Sequence, residues 1–218
     1  MPTTDRAFIP AARFHWLTPV YDSLCRLLGL GAALRDFELE LLESVEASDI
    51  LEVGCGTGEL LLRVARRFPS ARVVGIDPDP RALRIAAKKL PPERDIRLVK
   101  GRAESLEFPD HSFDLVLSSL MLHHLDTESK IAALREWKRV LRPGGQIVLV
   151  DLGEPRSLTT KVLLYPLRFN LFEKQADNLR GKIPSFIQQV GLALSEAAVF
   201  RSAVVAYRAW LPGTPPRA

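Results

Sequence analysis

Three alternating glycines, Gly54, Gly56 and Gly58, follow the acid Glu52 within the stretch Leu51 to Leu60, LEVGCGTGEL. A β-rich run from Ile50 to Val53 leads in and a helical pattern leads out, so the glycines fall at a strand-to-helix turn where a ligand can lie against bare backbone. A second acid, Asp77, closes the run Arg72-Val73-Val74-Gly75-Ile76 nineteen residues after Gly58. In nucleotide-binding αβ units an acid about 20 residues beyond the glycine turn accepts hydrogen bonds from both ribose hydroxyls. Together the two signals predict a cofactor site.

The elements that must position these residues alternate. Leu34, Phe37, Leu41, Leu42 and Val45 follow helical spacing and predict an amphipathic helix that delivers the chain to the first strand. Leu61, Val64, Ala65 and Phe68 mark the helix after the glycine turn. Leu83, Ala86, Ala87 and Leu90 mark another, with Asp79 as N-cap and Pro80 in its first turn. Strands are expected at Ile96 to Lys100, Phe113 to Ser119 and Gln146 to Asp151, with a helix carrying Ile131, Leu134, Trp137 and Leu141 before the last of them. Such alternation predicts an α/β fold with helices on both faces of a mostly parallel sheet, and ligands collecting at the carboxyl ends of its strands. Gly54, Asp77, Gly101, Ser118 and Asp151 all fall there.

Beyond Asp151 the rhythm changes. Residues 153–180 hold a helical segment interrupted by Pro166, which reads as an inserted cap. Val162, Tyr165, Phe169 and Phe172 form one apolar stripe and Leu164, Leu167 and Leu171 another, with Arg156, Lys161, Arg168 and Lys174 nearby. Three readings stand: a helix packed on the sheet, a roof for a lipophilic substrate, or a peripheral contact with anionic membrane. A short helix from Pro184 to Val190 ends at Gly191. The β-like runs Leu192 to Phe200 and Ala203 to Trp210 are too close for a helical crossover and predict an antiparallel hairpin at one edge. The domain expectation is a lid and lead-in helix over 1–46, a main domain over 47–211, and a flexible tail over 212–218.

With 218 residues, 47% hydrophobic and 26% charged, the composition is that of a globular chain with a substantial core. The net charge of +4 comes from basic residues interleaved with acids rather than from a basic run, which argues against nucleic acid. The N-terminal residues carry charges where a signal peptide needs its apolar segment, and no stretch reaches the roughly 18 apolar residues of a membrane span; a cytoplasmic location is expected. Cys25 and Cys55 form no zinc pattern, no metal is expected, and Cys55 reads as packing within the glycine turn.

Glu52-x-Gly54-x-Gly56-x-Gly58 resembles the first motif of the class I S-adenosyl-L-methionine-dependent methyltransferases, small-molecule branch. A nicotinamide-binding turn more often reads G-x-G-x-x-G, and position 59 here is Glu. The resemblance continues in order through VVGIDPDP, GRAESLEFPDHSFDLVLSSLMLHHL and LREWKRVLRPGGQIVLVD, covering residues 48–151. It implies a Rossmann-like seven-stranded mixed sheet with an antiparallel C-terminal hairpin, and S-adenosyl-L-methionine as cofactor. By the same resemblance Gly54 and Gly56 approach the methionine part and Glu52 lies near its ammonium. Asp77 then holds the ribose, Ala103 and Glu104 border the adenine, Ser118 and Leu120 line the passage to the methyl group, and Cys55 and Pro78 complete the contacts. One position departs: the residue before Ala103 is commonly Asp and here is Arg102, which has no acceptor for the adenine amino group. The segment Phe14 to Asp22 also looks like the lead-in of the ubiquinone and menaquinone biosynthesis C-methyltransferases, which implies Tyr21 in a lid above the reacting centre.

Methyl transfer from a sulfonium chiefly requires an in-line approach and an unprotonated nucleophile. A base is needed for an alcohol, phenol, protonated amine or acidic carbon, and His123 or His124, just past the fourth strand, is a candidate because imidazole titrates near neutrality. The expectation is thus a methyltransferase acting on an oxygen, carbon or nitrogen of a small, apolar or aromatic, quinol-like or lipid-like molecule. Phospholipid-amine methylation stays open, and arsenite methylation is disfavoured because it relies on several cysteines. The rivals are a non-catalytic S-adenosylmethionine-binding protein of the same fold and a nicotinamide-dependent oxidoreductase. Oligomeric state is not legible.

Overall fold

The computed structural model describes residues 31–158, 161, 173–201 and 203–216. Phe14, His15, Tyr21 and Cys25 lie outside the described residues, as do the cap residues Val162, Leu164, Tyr165, Pro166, Leu167, Arg168, Phe169, Leu171 and Phe172. In chain order the described elements are α1 (Ala32–Glu40), β1 (Asp49–Val53), α2 (Glu59–Arg67), β2 (Arg72–Asp77), α3 (Pro80–Lys89) and β3 (Ile96–Lys100). Then come β4 (Phe113–Ser119), a 3-10 turn (Leu122–His124), α4 (Thr127–Val140), β5 (Leu141–Leu152), α5 (Glu173–Leu179), α6 (Ile183–Gln189), β6 (Ala193–Phe200) and β7 (Val204–Trp210).

The seven strands form one sheet in the order β3-β2-β1-β4-β5-β7-β6. The first five pair in parallel, because each is joined to the next by a crossover that contains a helix or a long loop. β7 runs antiparallel to both β5 and β6, so the sheet is mixed as expected. The sheet changes winding direction at β1, which pairs with β2 on one side and β4 on the other: Glu52 lies beside Gly75 and beside Leu117. Crossovers leaving in opposite directions open a crevice at the carboxyl ends of these strands.

Alternation along the strands divides the core between two faces. Leu51, Val53, Val74, Ile76 and Val116 pack with Trp137 of α4 and Phe186 of α6. Ile50, Val73, Leu115 and Val148 pack on the other face with Leu34 of α1 and Leu61 and Val64 of α2. Strands buried on both faces read as continuous apolar runs, which is why β1, β2 and β4 were legible.

Local chemistry sets the ends of the helices. Asp79 accepts from Arg81 N at 2.8 Å with Pro80 in the first turn of α3, and Asp126 accepts from Ser129 N at 2.8 Å at the start of α4. α6 ends at Gly191, φ +75°, where Leu192 N returns to Ile187 O at 3.2 Å. Two boundaries differ from the periodicity. The first helix stops at Glu40 and continues to residue 44 as turns, still burying Leu41, Leu42 and Val45. β5 begins at Leu141 rather than Gln146, because Leu141 pairs with Phe113 across a register shift that absorbs Pro143-Gly144-Gly145. After β7, Thr214 N returns to Leu211 O at 3.2 Å. No helix among the described residues is long and apolar enough to cross a membrane.

Gly58 joins the glycine turn to α2 at φ +79°, and a Cβ there would stand 2.9 Å from Ala86 Cβ of α3. Gly58→Ala is therefore expected to lower unfolding stability by about 2 kcal/mol or more, left-handed strain adding to overpacking. Urea denaturation checks it: an unchanged midpoint would mean that α3 does not press on the turn.

Candidate cofactor and methyl-acceptor site

The crevice beside β1 holds a cavity. Its floor is the turn after β1, which two bonds pin to the next strand: Gly54 N and Cys55 N both donate to Ile76 O, at 2.8 and 3.1 Å. Gly54 (φ +77°) has no room for a side chain, since a Cβ would meet Met121 Cγ at 2.3 Å. Gly56 (φ +53°) is the reverse case. Among the described residues nothing beyond its chain neighbours stands within 4 Å of a Cβ there, so its bare backbone faces open space in the cavity wall.

Asp77, at the end of β2, ties the two turns together. Its Oδ2 accepts from Gly56 N at 2.9 Å and its Oδ1 from Asp79 N at 2.8 Å. Burial raises its carboxyl above the ordinary range, and the two N–H groups oppose that rise. A carboxylate offers about four acceptor positions, and these two bonds fill one on each oxygen.

Glu52 is 3% exposed, and its Oε2 has no hydrogen-bond partner among the described residues. Burial pushes its carboxyl well up; Arg35 draws it down, and Glu38 and Asp77 push it further up. A buried oxygen with an empty acceptor position calls for a donor, and a cationic one meets both needs. Open acceptor positions on Asp77, bare backbone at Gly56 and an unmet oxygen on Glu52 fit the ribose and amino-acid ends of S-adenosyl-L-methionine.

Sequence reasoning missed the group behind Glu52. Arg35 of α1 lines the cavity and donates to Glu38 Oε2 at 2.5 Å and to Ser119 Oγ at 3.0 Å, while Ser119 Oγ donates to Glu38 Oε1. Glu38 is 3% exposed, and burial raises its carboxyl against the pull of Arg35 and Ser119. The signal was present: Glu38 stands four residues from both Leu34 and Leu42, a charge on the buried stripe.

Of the other expected cofactor contacts, Cys55, Pro78, Ala103, Glu104 and Leu120 line the cavity. Ser118 does not. Its Oγ donates to Val53 O at 3.0 Å inside the sheet, and Ser119 reaches the cavity instead. The Cys55 thiol is raised well above its ordinary value by burial, then by Glu52 and Asp77, which keeps it protonated and suits packing. Beside Ala103, Arg102 Nε donates to Glu104 Oε1 at 2.8 Å, and Nη2 bonds the same oxygen.

The far end is built by the chain after β4. Leu120 takes φ +48°, unusual for a leucine, and its N–H donates to Val150 O at 2.8 Å. The 3-10 turn that follows hangs on Asp151, fully buried at the end of β5. Its Oδ2 accepts from Leu122 N and His123 N at 2.7 and 3.3 Å, and its Oδ1 lies 2.6 Å from His123 Nδ1. Burial would raise the Asp151 carboxyl, but His123, then the Leu152 N–H on Oδ1 at 2.7 Å and His124, hold it below the ordinary range. The ionised Asp151 thus holds a proton on His123 Nδ1. The two imidazoles lie 4.1 Å apart by ring centroid, and His124 is the one in the cavity wall. Burial first, then His123, lowers His124 to about 3, so its ring is neutral across the physiological range.

Residues 50–145 match a family model described as a methyltransferase domain. The chain carries a class I S-adenosyl-L-methionine-dependent methyltransferase domain. S-adenosyl-L-methionine is the methyl donor of this class. This domain is 37% identical over 145 residues to the demethylmenaquinone methyltransferase of Thermus thermophilus, covering 65% of each chain. Against the ubiquinone/menaquinone biosynthesis C-methyltransferase of Syntrophotalea carbinolica it is 33% identical over 152 residues, 66% of this chain and 61% of that one. The chain thus spans less than two thirds of the length of either relative. In fold it is similar to the N-methyltransferase NodS of Bradyrhizobium japonicum in complex with S-adenosyl-L-homocysteine. The TM-score is 0.63 at 18% identity, over 83% of this chain and 86% of that one.

Two variants follow from the floor of the site. Asp77→Ala is expected to weaken S-adenosylhomocysteine binding by about 1 kcal/mol or more, the scale of a hydrogen bond to a charged group; an unchanged dissociation constant in calorimetry contradicts the assignment. Glu52→Gln is expected to weaken the same binding while raising the melting temperature at neutral pH. The sign follows from linkage: native Glu52 keeps a proton that the unfolded chain has released, so stability falls as pH climbs from the ordinary glutamate value towards the raised one. A melting temperature for Glu52→Gln that tracks the parent at every pH between 4 and 8 would refute that reading, on the ordinary glutamate reference of about 4.3.

Proposed function

We propose that the chain is an enzyme that transfers the methyl group of S-adenosyl-L-methionine to an oxygen, carbon or nitrogen of a small, apolar or aromatic molecule. The observation that carries this reading is the pairing of Glu52 Oε2, buried and unmatched, with the open backbone at Gly56 and the Asp77 carboxylate on the neighbouring strand. Bound there, the cofactor supplies an electrophilic methyl on a positively charged sulfur.

The chain's own residues do the rest. Glu52 would take the ammonium, Asp77 the ribose hydroxyls, and Ala103 and Glu104 the adenine edge. Arg102, paired to Glu104 Oε1, supports the carboxylate that replaces the acceptor usual at its own position. Leu120, Met121 and Leu125 give the wall an apolar stretch that excludes water and suits a planar ring. The names of the curated relatives point towards a quinol ring as acceptor.

The histidines divide the proton work. His124 faces the cavity as a neutral ring able to orient an acceptor hydroxyl, and a lowered basicity makes it a weak base. His123, held by Asp151 through Nδ1, stands behind it. Tyr21, outside the described residues, is proposed as a lid residue over the acceptor on the family resemblance alone.

Incubating the protein with methyl-labelled S-adenosylmethionine and a panel of quinols, phenols, amines and lipids tests the reading. Label in an organic product supports it, whereas tight cofactor binding with no product from any class favours the non-catalytic alternative. His123→Ala and His124→Ala are each expected to cut turnover by about 10²-fold or more while leaving cofactor affinity in place, the range of general acid–base catalysis. Normal turnover in both variants would mean that no histidine base operates.

A further inference from the structure

Lys130 of α4 has no exposed surface, yet nothing in the proposed chemistry uses it. Its Nζ donates to the carbonyl oxygen of Lys174 at 2.5 Å and stands 3.7 Å from Asp177 Oδ2. Asp177 in turn accepts from Thr127 Oγ1 at 2.5 Å and pairs with Lys182 Nζ at 3.0 Å. Thr127 and Lys130 are three apart on α4, and Lys174 and Asp177 are three apart on α5, so one face of each helix is bonded to the other. A further tie, Asn178 Nδ2 to Leu152 O at 3.2 Å, fixes α5 to the end of β5.

What α5 does there is visible from its neighbours. It packs against the 3-10 turn that carries the histidines, and Lys174 lines the cavity in the same wall as His124. The charges that act on His124 are His123, Asp151 and Lys174, and Lys174 is the one whose backbone Lys130 grips. A buried ammonium is costly to keep where an apolar side chain would fill the same space, so its retention points to a task beyond packing.

Building on the methyltransferase reading, we propose that Lys130 is a positioning residue that fastens α5 to α4 and so holds Lys174 and the His124 ring in the wall facing the methyl acceptor. Nothing is transferred to or from Lys130 itself. Its effect reaches the site through the Lys174 carbonyl and the Asp177 carboxylate.

Lys130→Met keeps the volume and removes the donor; Asp177→Asn removes the opposing charge with less disturbance of the core. Amide exchange of residues 173–182 by mass spectrometry, histidine ring NMR and calorimetry with S-adenosylhomocysteine read the outcome. In either variant exchange of this segment is expected to rise roughly tenfold or more, as local openings follow the loss of buried contacts. His124 is expected to titrate above its value of about 3, towards the ordinary 6.5, as the helix that buries it loosens. Lys130→Arg should restore part of both, and affinity for S-adenosylhomocysteine should hold within about twofold, since α5 touches the acceptor end.

A folded Lys130→Met with parental exchange and parental His124 titration overturns the proposal. Should that variant not fold, the same two parental values in Asp177→Asn overturn it. Failure of the wild-type chain to bind S-adenosylhomocysteine would instead sink the methyltransferase reading, while exchange and titration still decide the role of Lys130.

Discussion

A carboxylate taken out of water must find donors or a cation, and this molecule buries several along one edge of its sheet. Each is met differently. Asp77 has backbone N–H groups on both oxygens, Asp151 has three N–H groups and an imidazole, and Glu38 has a guanidinium and a hydroxyl. Glu52 alone among these four keeps an oxygen with no partner among the described residues. The site is the place where that sequence of satisfied acids stops, and its shape follows from the bonds that satisfy the others. Without Asp77 the glycine turn loses its tie at Gly56 and keeps only the bonds to Ile76 O; without Asp151 the turn that carries both histidines loses its bonds at Leu122 and His123.

The sheet order makes this arrangement available. β1 and β4 are neighbours although 59 residues separate Val53 from Phe113 in the chain, and their carboxyl ends deliver Glu52 and Ser119 to the same opening. β5 adds Asp151 from the next position in the sheet, and α4 and α5 close the far side. Parallel strands give the edge one polarity, so every loop that follows a strand lands on the same side. That is how residues of β1, β2 and β4, of helices α1 to α5 and of the loops between them come to line one opening.

What was legible in the sequence was what is local. The glycine turn, Asp77 and the N-cap at Asp79 depend on neighbours a few residues away or on one crossover, and their spacing carries the information. Arg35 and Glu38 depend on Ser119, more than 80 positions on, and periodicity alone assigns Glu38 only as an interruption. The Ser118 and Ser119 pair shows a different loss. Adjacent strand residues point to opposite faces, so a strand placed correctly still leaves the inward and outward members exchangeable until its partners are known. For His123 and His124 the choice rests with Asp151 on another strand, which captures one imidazole and leaves the other in the wall. The start of β5 was hidden for a related reason, since Pro143-Gly144-Gly145 reads as a turn unless the bulge opposite Phe113 is known.

The placing of β7 between β5 and β6 carries a consequence for biogenesis. During synthesis the segment 193–200 emerges first, yet among the described residues its one ladder partner, and its link to the rest of the sheet, is the segment 204–210 that follows. Until those residues clear the ribosome both β5 and the nascent β6 present bare edges, the kind that invite pairing with another chain. A three-residue connection keeps that interval to roughly a second at translation rates of 5–20 residues per second, so the brevity of this link guards the newborn chain against aggregation.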